Sequence, residues 1–148
     1  MIEIQIKRLA HGKNIPLPSF QTAGAAACDL YAAIEQPIIL KASEHRIIPT
    51  GFAMALPQGY EAQIRPRSGW AAKSAITVLN SPGTIDCDYR GEVGVILINL
   101  GQEDFIIEPQ ARIAQMLVMP CYQWQWIETD TLDETHRGEG GFGSTGGG

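Results

Sequence analysis

A succession of short apolar stretches, each closed within a few residues by proline or glycine, leaves this chain little choice but β-strands. In "MIEIQIKRL", Ile2, Ile4 and Ile6 alternate with Glu3, Gln5 and Lys7, the two-residue period of a half-buried strand. "CDLYAA", "PIIL", "HRIIPTGFAMAL", "YEAQIRP", "EVGVILINL", "DFIIEP", "RIAQMLVMP" and "YQWQWIE" follow as further strands. Pro37, Pro49, Pro57, Pro66, Pro82, Pro109 and Pro120 sit at or near their ends, where a missing N–H costs little. Gly24, Gly51, Gly59, Gly91 and Gly101 punctuate between them. One short helix is predicted, "SGWAAKSA", with Ser68 as its N-cap. Strands recurring about every ten residues predict an all-β sandwich or barrel. "VGVILIN" fits a buried strand between subunits and a strand in the chain's own core equally well.

A chain of 148 residues reads as one domain with a sizeable core. Its formal net charge of −5 argues against a general nucleic-acid binder, although a nucleotide site needs only a few local cations. Cys28, Cys87 and Cys121 are odd in number and lack metal-site spacing, so they read as reduced thiols. The alternating, charged start is no signal peptide, and the longest apolar run is far short of a membrane span. A cytoplasmic protein is expected, with nucleus and organelle left open.

Four internal stretches place polar groups where a plain strand-and-turn protein need not. In "AACDLYAA", Asp29 lies inside an apolar strand pattern; such a carboxylate faces solvent, is paired, or binds a cation. In "RPRSGW", Arg65 and Arg67 bracket a proline before the start of the helix. Arginines, a hydroxyl and free helix N–H groups suit a phosphate, and equally make a capped turn with solvated arginines. "NSPGTIDCDYRG" carries Asn80, Ser81, Pro82 and Gly83 in a turn, then Asp86, Asp88, Tyr89 and Gly91 around a hairpin. Its "DCD" does not continue into a calcium loop. In "RIAQM", Gln115 interrupts an apolar strand; it needs partners if buried and is unremarkable if it faces outward.

The chain ends in "RGEGGFGSTGGG", with glycine at 138, 140, 141, 143, 146, 147 and 148. Such a segment builds no core and predicts a mobile arm. We divide the chain into a β domain over 1–130 and an arm over 131–148. The arm is neither a Walker loop nor a dinucleotide fingerprint, since it lacks the lysine and the following helix. It does carry Phe142, which can stack on a base, and Arg137, Ser144 and Thr145, which can bind phosphate oxygens.

Taken in order, "AACDLYAA", "RPRSG", "GTIDCDYRG", "RIAQ" and "RGEGGFGSTG" resemble the five motifs of the trimeric deoxyuridine triphosphate nucleotidohydrolases, the dUTPases, over roughly Ala26 to Gly146. The resemblance implies a jelly-roll-like β-sandwich forming a homotrimer, with active sites at subunit interfaces. It implies Mg²⁺ and hydrolysis of dUTP to dUMP and pyrophosphate, which keeps uracil out of DNA and supplies dUMP for thymidylate synthesis. Position by position, Asp29 would hold the metal through water. Arg67, Ser68, Gly69 and Gln115 would contact phosphates, Asn80 and Gly83 would frame the uracil, and Tyr89 would pack beneath the deoxyribose. Asp86 would orient and deprotonate the attacking water. Arg137, Phe142, Gly143, Ser144 and Thr145 would close over the substrate, usually over a neighbour's site. Trp70 stands where the family commonly has a smaller aliphatic residue, Cys87 where a small or polar one is usual, and "PQA" replaces a glycine-containing turn before the fourth motif.

Two other functions compete. A deoxycytidine triphosphate deaminase of the same superfamily would need a glutamate base and releases ammonia. A non-catalytic nucleotide-binding regulator would bind dUTP without turnover.

Overall fold

The computed structural model describes residues 1–146. Gly147 and Gly148, the last two residues of the predicted arm, lie outside the described residues. The order of elements is β1 (Gln5–Arg8), a 3₁₀ turn (Ala10–Gly12), β2 (Cys28–Tyr31), β3 (Ile38–Leu40), β4 (His45–Ala55), β5 (Tyr60–Arg65), α1 (Ser68–Ser74), β6 (Ile76–Val78), β7 (Gly83–Ile85), β8 (Glu92–Asn99), β9 (Phe105–Ile107) and β10 (Arg112–Pro120). The strands form two four-stranded antiparallel sheets, ordered β1-β4-β8-β6 and β2-β10-β5-β7, and a β3-β9 ribbon. The architecture is a jelly-roll-like β-sandwich. Leu30, Leu40, Ile48, Phe52, Ile64, Val95, Leu97, Ile107 and Ile113 fill its core.

In β8 the period-two pattern is legible residue by residue. Val93, Val95, Leu97 and Asn99 are buried, while Gly94 is exposed and Ile96 and Ile98 are half-buried. "VGVILIN" is therefore an interior strand of this chain's own core, with β4 on one side and β6 on the other. The buried amide at its end is fully used. Asn99 Nδ2 donates to the carbonyls of Leu40 at 2.9 Å and Glu103 at 2.8 Å, and Oδ1 accepts from the Gly101 N–H at 2.9 Å. Asn99→Ala leaves these groups unpaired and is expected to destabilise the fold by about 3 kcal/mol, to be read from urea midpoints.

Four sequence expectations change. Pro49 lies inside β4 rather than at a strand end. The β4–β8 register slips between Pro49 and Ala53, and an irregular ladder there tolerates the missing donor. Gly51 sits in that bulge at φ 76°, and the 3₁₀ turn packs on it so closely that a Cβ on Gly12 would overlap the Gly51 carbonyl. The helix starts one residue later than its predicted cap. Arg67 is the extended N-cap residue, its carbonyl accepting the Ala71 N–H at 3.1 Å, and Ser68 is the first helical residue. At the amino end only Gln5–Arg8 pair, and Ile2 and Ile6 are exposed, because β1 is a sheet edge that no other strand covers among the described residues. Finally, "YQWQWIE" forms no strand. Its last ladder-like bond is Cys121 N–H to the Gly59 carbonyl. Beyond it Tyr122, Trp124 and Trp126 are exposed, the two indoles stacked edge to face at 6.2 Å. A strand pattern needs a partner strand, and among the described residues this segment pairs with none.

Cys28, Cys87 and Cys121 are free thiols. Burial, then the neighbouring Asp29 charge, pushes the Cys28 thiol above its ordinary value, so it stays protonated near neutrality. Among the described residues no helix is long and apolar enough to cross a membrane.

Candidate active site

Two clusters of predicted site residues form on the β2-β10-β5-β7 sheet. The first is set by register. Asp29 on β2, Gln115 on β10 and Arg65 on β5 lie opposite one another in a single row across three strands. Gln115 faces away from the core side taken by Ala114 and Met116, and its Nε2 donates 3.0 Å to the Pro66 carbonyl. That bond ties β10 to the turn carrying Arg67. The Asp29 carboxylate, its side chain only 14% exposed, accepts from Arg112 at 3.2 Å and stands 4.0 Å from Arg67 Nε. Of its three possible states, Asp29 is the paired one. Arg67 also donates 2.9 Å to the Arg112 carbonyl, and its guanidinium lies 5.9 Å from the centre of the Trp70 ring. Trp70 meets Phe105 edge to face at 4.8 Å, so the unusual tryptophan supports the arginine from below. Ser68 and Gly69 follow directly, in the first turn of α1, where N–H groups lack intrahelical partners.

The second cluster surrounds a cleft of about 200 Å³ lined by Thr84, Ile85, Asp86, Tyr89, Glu92, Val93 and Gly94. It lies where the two sheets part. Among the described residues β7 pairs only with β5, and β6 covers β8 only from Leu97 onward, so β7 and the first half of β8 each present an edge with no neighbouring strand there. Cys87 packs, partly buried, against the core, leaving Asp86 and Tyr89 at the opening. Tyr89 donates 2.9 Å to the Glu92 carbonyl, and Arg90 closes the turn by donating to the Cys87 and Tyr89 carbonyls at 2.6 and 3.0 Å. Asn80 and Gly83 sit together at the far end of β7 from Asp86. A Cβ on Gly83 would meet Asn80 Nδ2 and Ile64 Cβ at 3.3 Å. Neither residue lines the cleft itself.

The clusters are separate within one chain. Gly83 lies three strand steps from Asp29, about 14 Å. The arm joins neither. Arg137 Nε donates 2.7 Å to the Gly140 carbonyl, Ser144 and Gly141 close a local turn, Phe142 is exposed at φ 51°, and Gly143 follows at φ 83°. Thr145 is exposed in the same turn. Wider clefts exist, one of about 420 Å³ between α1 and residues 101–105, but the narrow one unites a carboxylate, a phenol and two open strand edges.

The motifs pointed to Gln115 but not to Arg112, which opens the same "RIAQ" stretch and faces Asp29 only once β2 and β10 are paired. They also passed over Glu92, Val93 and Gly94, whose edge is free only because β6 is short.

Open strand edges beside a carboxylate and a phenol, with an arginine cluster on the same sheet, are the features of a β-sandwich suited to an anionic, base-bearing ligand. The dUTPase family model matches residues 13–146. The deoxyuridine 5'-triphosphate nucleotidohydrolase of Beijerinckia indica subsp. indica is 57% identical over 97% of this chain and 91% of its own length. That of Rickettsia bellii is 58% identical over 97% and 95%. A Staphylococcus bacteriophage 80alpha dUTPase solved with dUPNHPP superposes at a TM-score of 0.88 and 25% identity, covering 99% of both chains. This chain belongs to the dUTPase family.

Proposed function

We infer that the chain hydrolyses dUTP to dUMP and pyrophosphate, by attack of water on the α-phosphorus. The observation that carries the reading is the cleft between the open edges of β7 and β8, with Asp86 and Tyr89 at its mouth. Uracil presents acceptor, donor and acceptor along one edge, and backbone N–H and C=O groups of a strand edge supply the complement. A backbone edge cannot exchange its donors for acceptors, so cytosine meets mismatched groups, and buried polar mismatches discriminate by about 10⁴-fold or more. Tyr89 stands at the mouth, where the sugar would emerge. Asn80 and Gly83 brace the hairpin that forms one wall.

Arg67, Ser68, Gly69 and Gln115 receive the phosphates, joined by Arg112. Mg²⁺ is the cofactor that fits them. Asp29 is a lone carboxylate, and among the described residues no group of three or more His, Cys, Asp or Glu could cage a metal ion. A hard cation that keeps its waters and rides on a triphosphate asks no more of the protein than one carboxylate reached through water. When bound, the ion draws charge from the phosphate oxygens. Asp86 orients the attacking water and takes its proton, while the bond between the α-phosphorus and the bridging oxygen breaks and pyrophosphate leaves. The arginines stabilise the charge that builds on the oxygens.

The complete site needs more than one copy. Ligand pockets usually span about 300–1,000 Å³, and the cleft holds about 200 Å³. The arginine cluster and the arm lie elsewhere on the chain. The homotrimer would bring Asp86 and Tyr89 of one copy to the arginines of another, with the arm over residues 131–148 closing from above. Exposed Tyr122, Trp124 and Trp126, and uncovered Ile2 and Ile6, support such burial between copies. The free thiols support a reducing compartment, the cytoplasm, as its place.

The test is pyrophosphate release from dUTP, dCTP, dTTP and UTP, with and without Mg²⁺. Mg²⁺-dependent release from dUTP alone is expected. Ammonia from dCTP would instead assign a deaminase, and binding without turnover a regulator.

A further inference from the structure

Tyr89 lies in a loop and is half exposed, so core packing alone does not hold it. Two contacts do. Its hydroxyl is bonded to the Glu92 carbonyl, and its ring lies on Gly91, where a Cβ would come within 2.6 Å of the ring carbon Cζ. Glu92 is in turn fixed by its side chain. Oε1 accepts the Gly51 N–H at 2.9 Å and meets His11 Nε2 at 2.6 Å. Gly51 is the positive-φ residue of the β4 bulge, and its carbonyl accepts the Leu9 N–H at 2.9 Å, just before the 3₁₀ turn carrying His11. Glu92 thus links the phenol of the cleft to two elements on the far side of β8. Neither Glu92 nor His11 was among the motif residues.

We propose that Glu92, clamped by the Gly51 N–H and His11, determines sugar specificity by holding Tyr89 rigid against the 2′ position of the substrate. The proposal rests on the cleft being the nucleoside site. A wall excludes a single hydroxyl only if it cannot yield, because pockets that relax lose steric discrimination. Glu92 is a positioning residue, acting on substrate through Tyr89. The pair is partly exposed, the side chains at 42% for His11 and 29% for Glu92, so its loss should move fold stability little while loosening the wall.

The experiment measures kcat and KM for dUTP and UTP by pyrophosphate release, on the full chain and on Glu92→Ala, Glu92→Gln, His11→Ala, Tyr89→Phe and the Glu92→Ala/Tyr89→Phe double variant. Glu92→Ala is expected to lower the ratio of kcat/KM for dUTP over UTP about tenfold, the lower end of steric discrimination. Its thermal midpoint should stay within about 4 °C of the unaltered chain's, so that a change in the ratio is read on a folded protein. Glu92→Gln keeps an acceptor for Gly51 and should recover most of the ratio, with His11→Ala falling between. Tyr89→Phe should lower the ratio as well, and the double variant should fall no further than the worse single one. An unchanged ratio in Glu92→Ala, or additive losses in the double variant, overturns the proposal while dUTP turnover by the unaltered chain upholds the nucleoside cleft. No pyrophosphate from dUTP with the unaltered chain overturns both.

Discussion

Asp86→Asn is expected to lower kcat for dUTP by about 10²–10⁴-fold, the usual contribution of a general base, while KM changes little. The substitution is nearly isosteric, so the cleft keeps its shape. An amide can still hold a water by hydrogen bonding, but it cannot accept a proton as the P–O bond forms. Asp86 directly follows β7, whose three ladder pairs with β5 fix the strand, and Cys87 packs against the core immediately after it. The carboxylate is thereby held between two anchored neighbours, which is the placement that catalysis by orientation requires. Asp88 provides the control. It lies one residue past the Cys87 anchor and lines a different cleft, with Leu56, Arg90 and Cys121. Asp88→Asn should leave kcat within about twofold, far short of what losing a base costs. Steady-state kinetics with isothermal titration of a non-hydrolysable dUTP analogue check both halves. Near-normal kcat in Asp86→Asn removes it from the role.

Sequence alone could choose Asp86 over Asp88 only by family resemblance, because strict alternation would set both on one face. The hairpin breaks that alternation: the strand ends at Ile85, and the chain turns through Cys87 and Arg90. Long strands with one face in the core were legible as written, β8 above all, since burial on one face forces the period-two pattern. β6 and β7 went unread because each follows directly on a helix or a turn signal, whereas the equally short β3 and β9 stood out as apolar runs bounded by proline. "YQWQWIE" was misread for a different reason. Alternation records what a segment is ready to pair with, and nothing in a sequence says whether the partner lies in the same chain. Of the site, Asp29 and Gln115 announced themselves as polar breaks in apolar strands. Arg112 and Glu92 did not, since an arginine and a glutamate at strand starts look like ordinary surface until pairing sets one beside Asp29 and the other beside Gly51.

Truncation after Arg137 is expected to leave the fold intact and to lower kcat/KM for dUTP by about 10²-fold or more, the scale of losing groups that stabilise transition-state charge. The two halves of the prediction have separate causes. Residues 138–146 add nothing to the core, and their described hydrogen bonds are local, such as Arg137 Nε to the Gly140 carbonyl and Ser144 N–H to the Gly141 carbonyl. Their removal should therefore leave circular dichroism unaltered and the thermal midpoint within about 2 °C, a shift of less than about 1 kcal/mol. Activity depends on them differently. Ordering each arm residue costs about 1–2 kcal/mol, so a closed arm is stable only with substrate beneath it. Phe142 on the base would contribute about 1–3 kcal/mol, and the Ser144 and Thr145 hydroxyls would add hydrogen bonds to phosphate oxygens. Positive φ at Gly138, Gly143 and Gly146 lets the chain fold back on itself. Because these contacts would be made to bound substrate and would keep out bulk water other than the attacking molecule, kcat should fall as well as KM rise. A truncated chain that folds and turns over dUTP at the full rate would take the arm out of the active site.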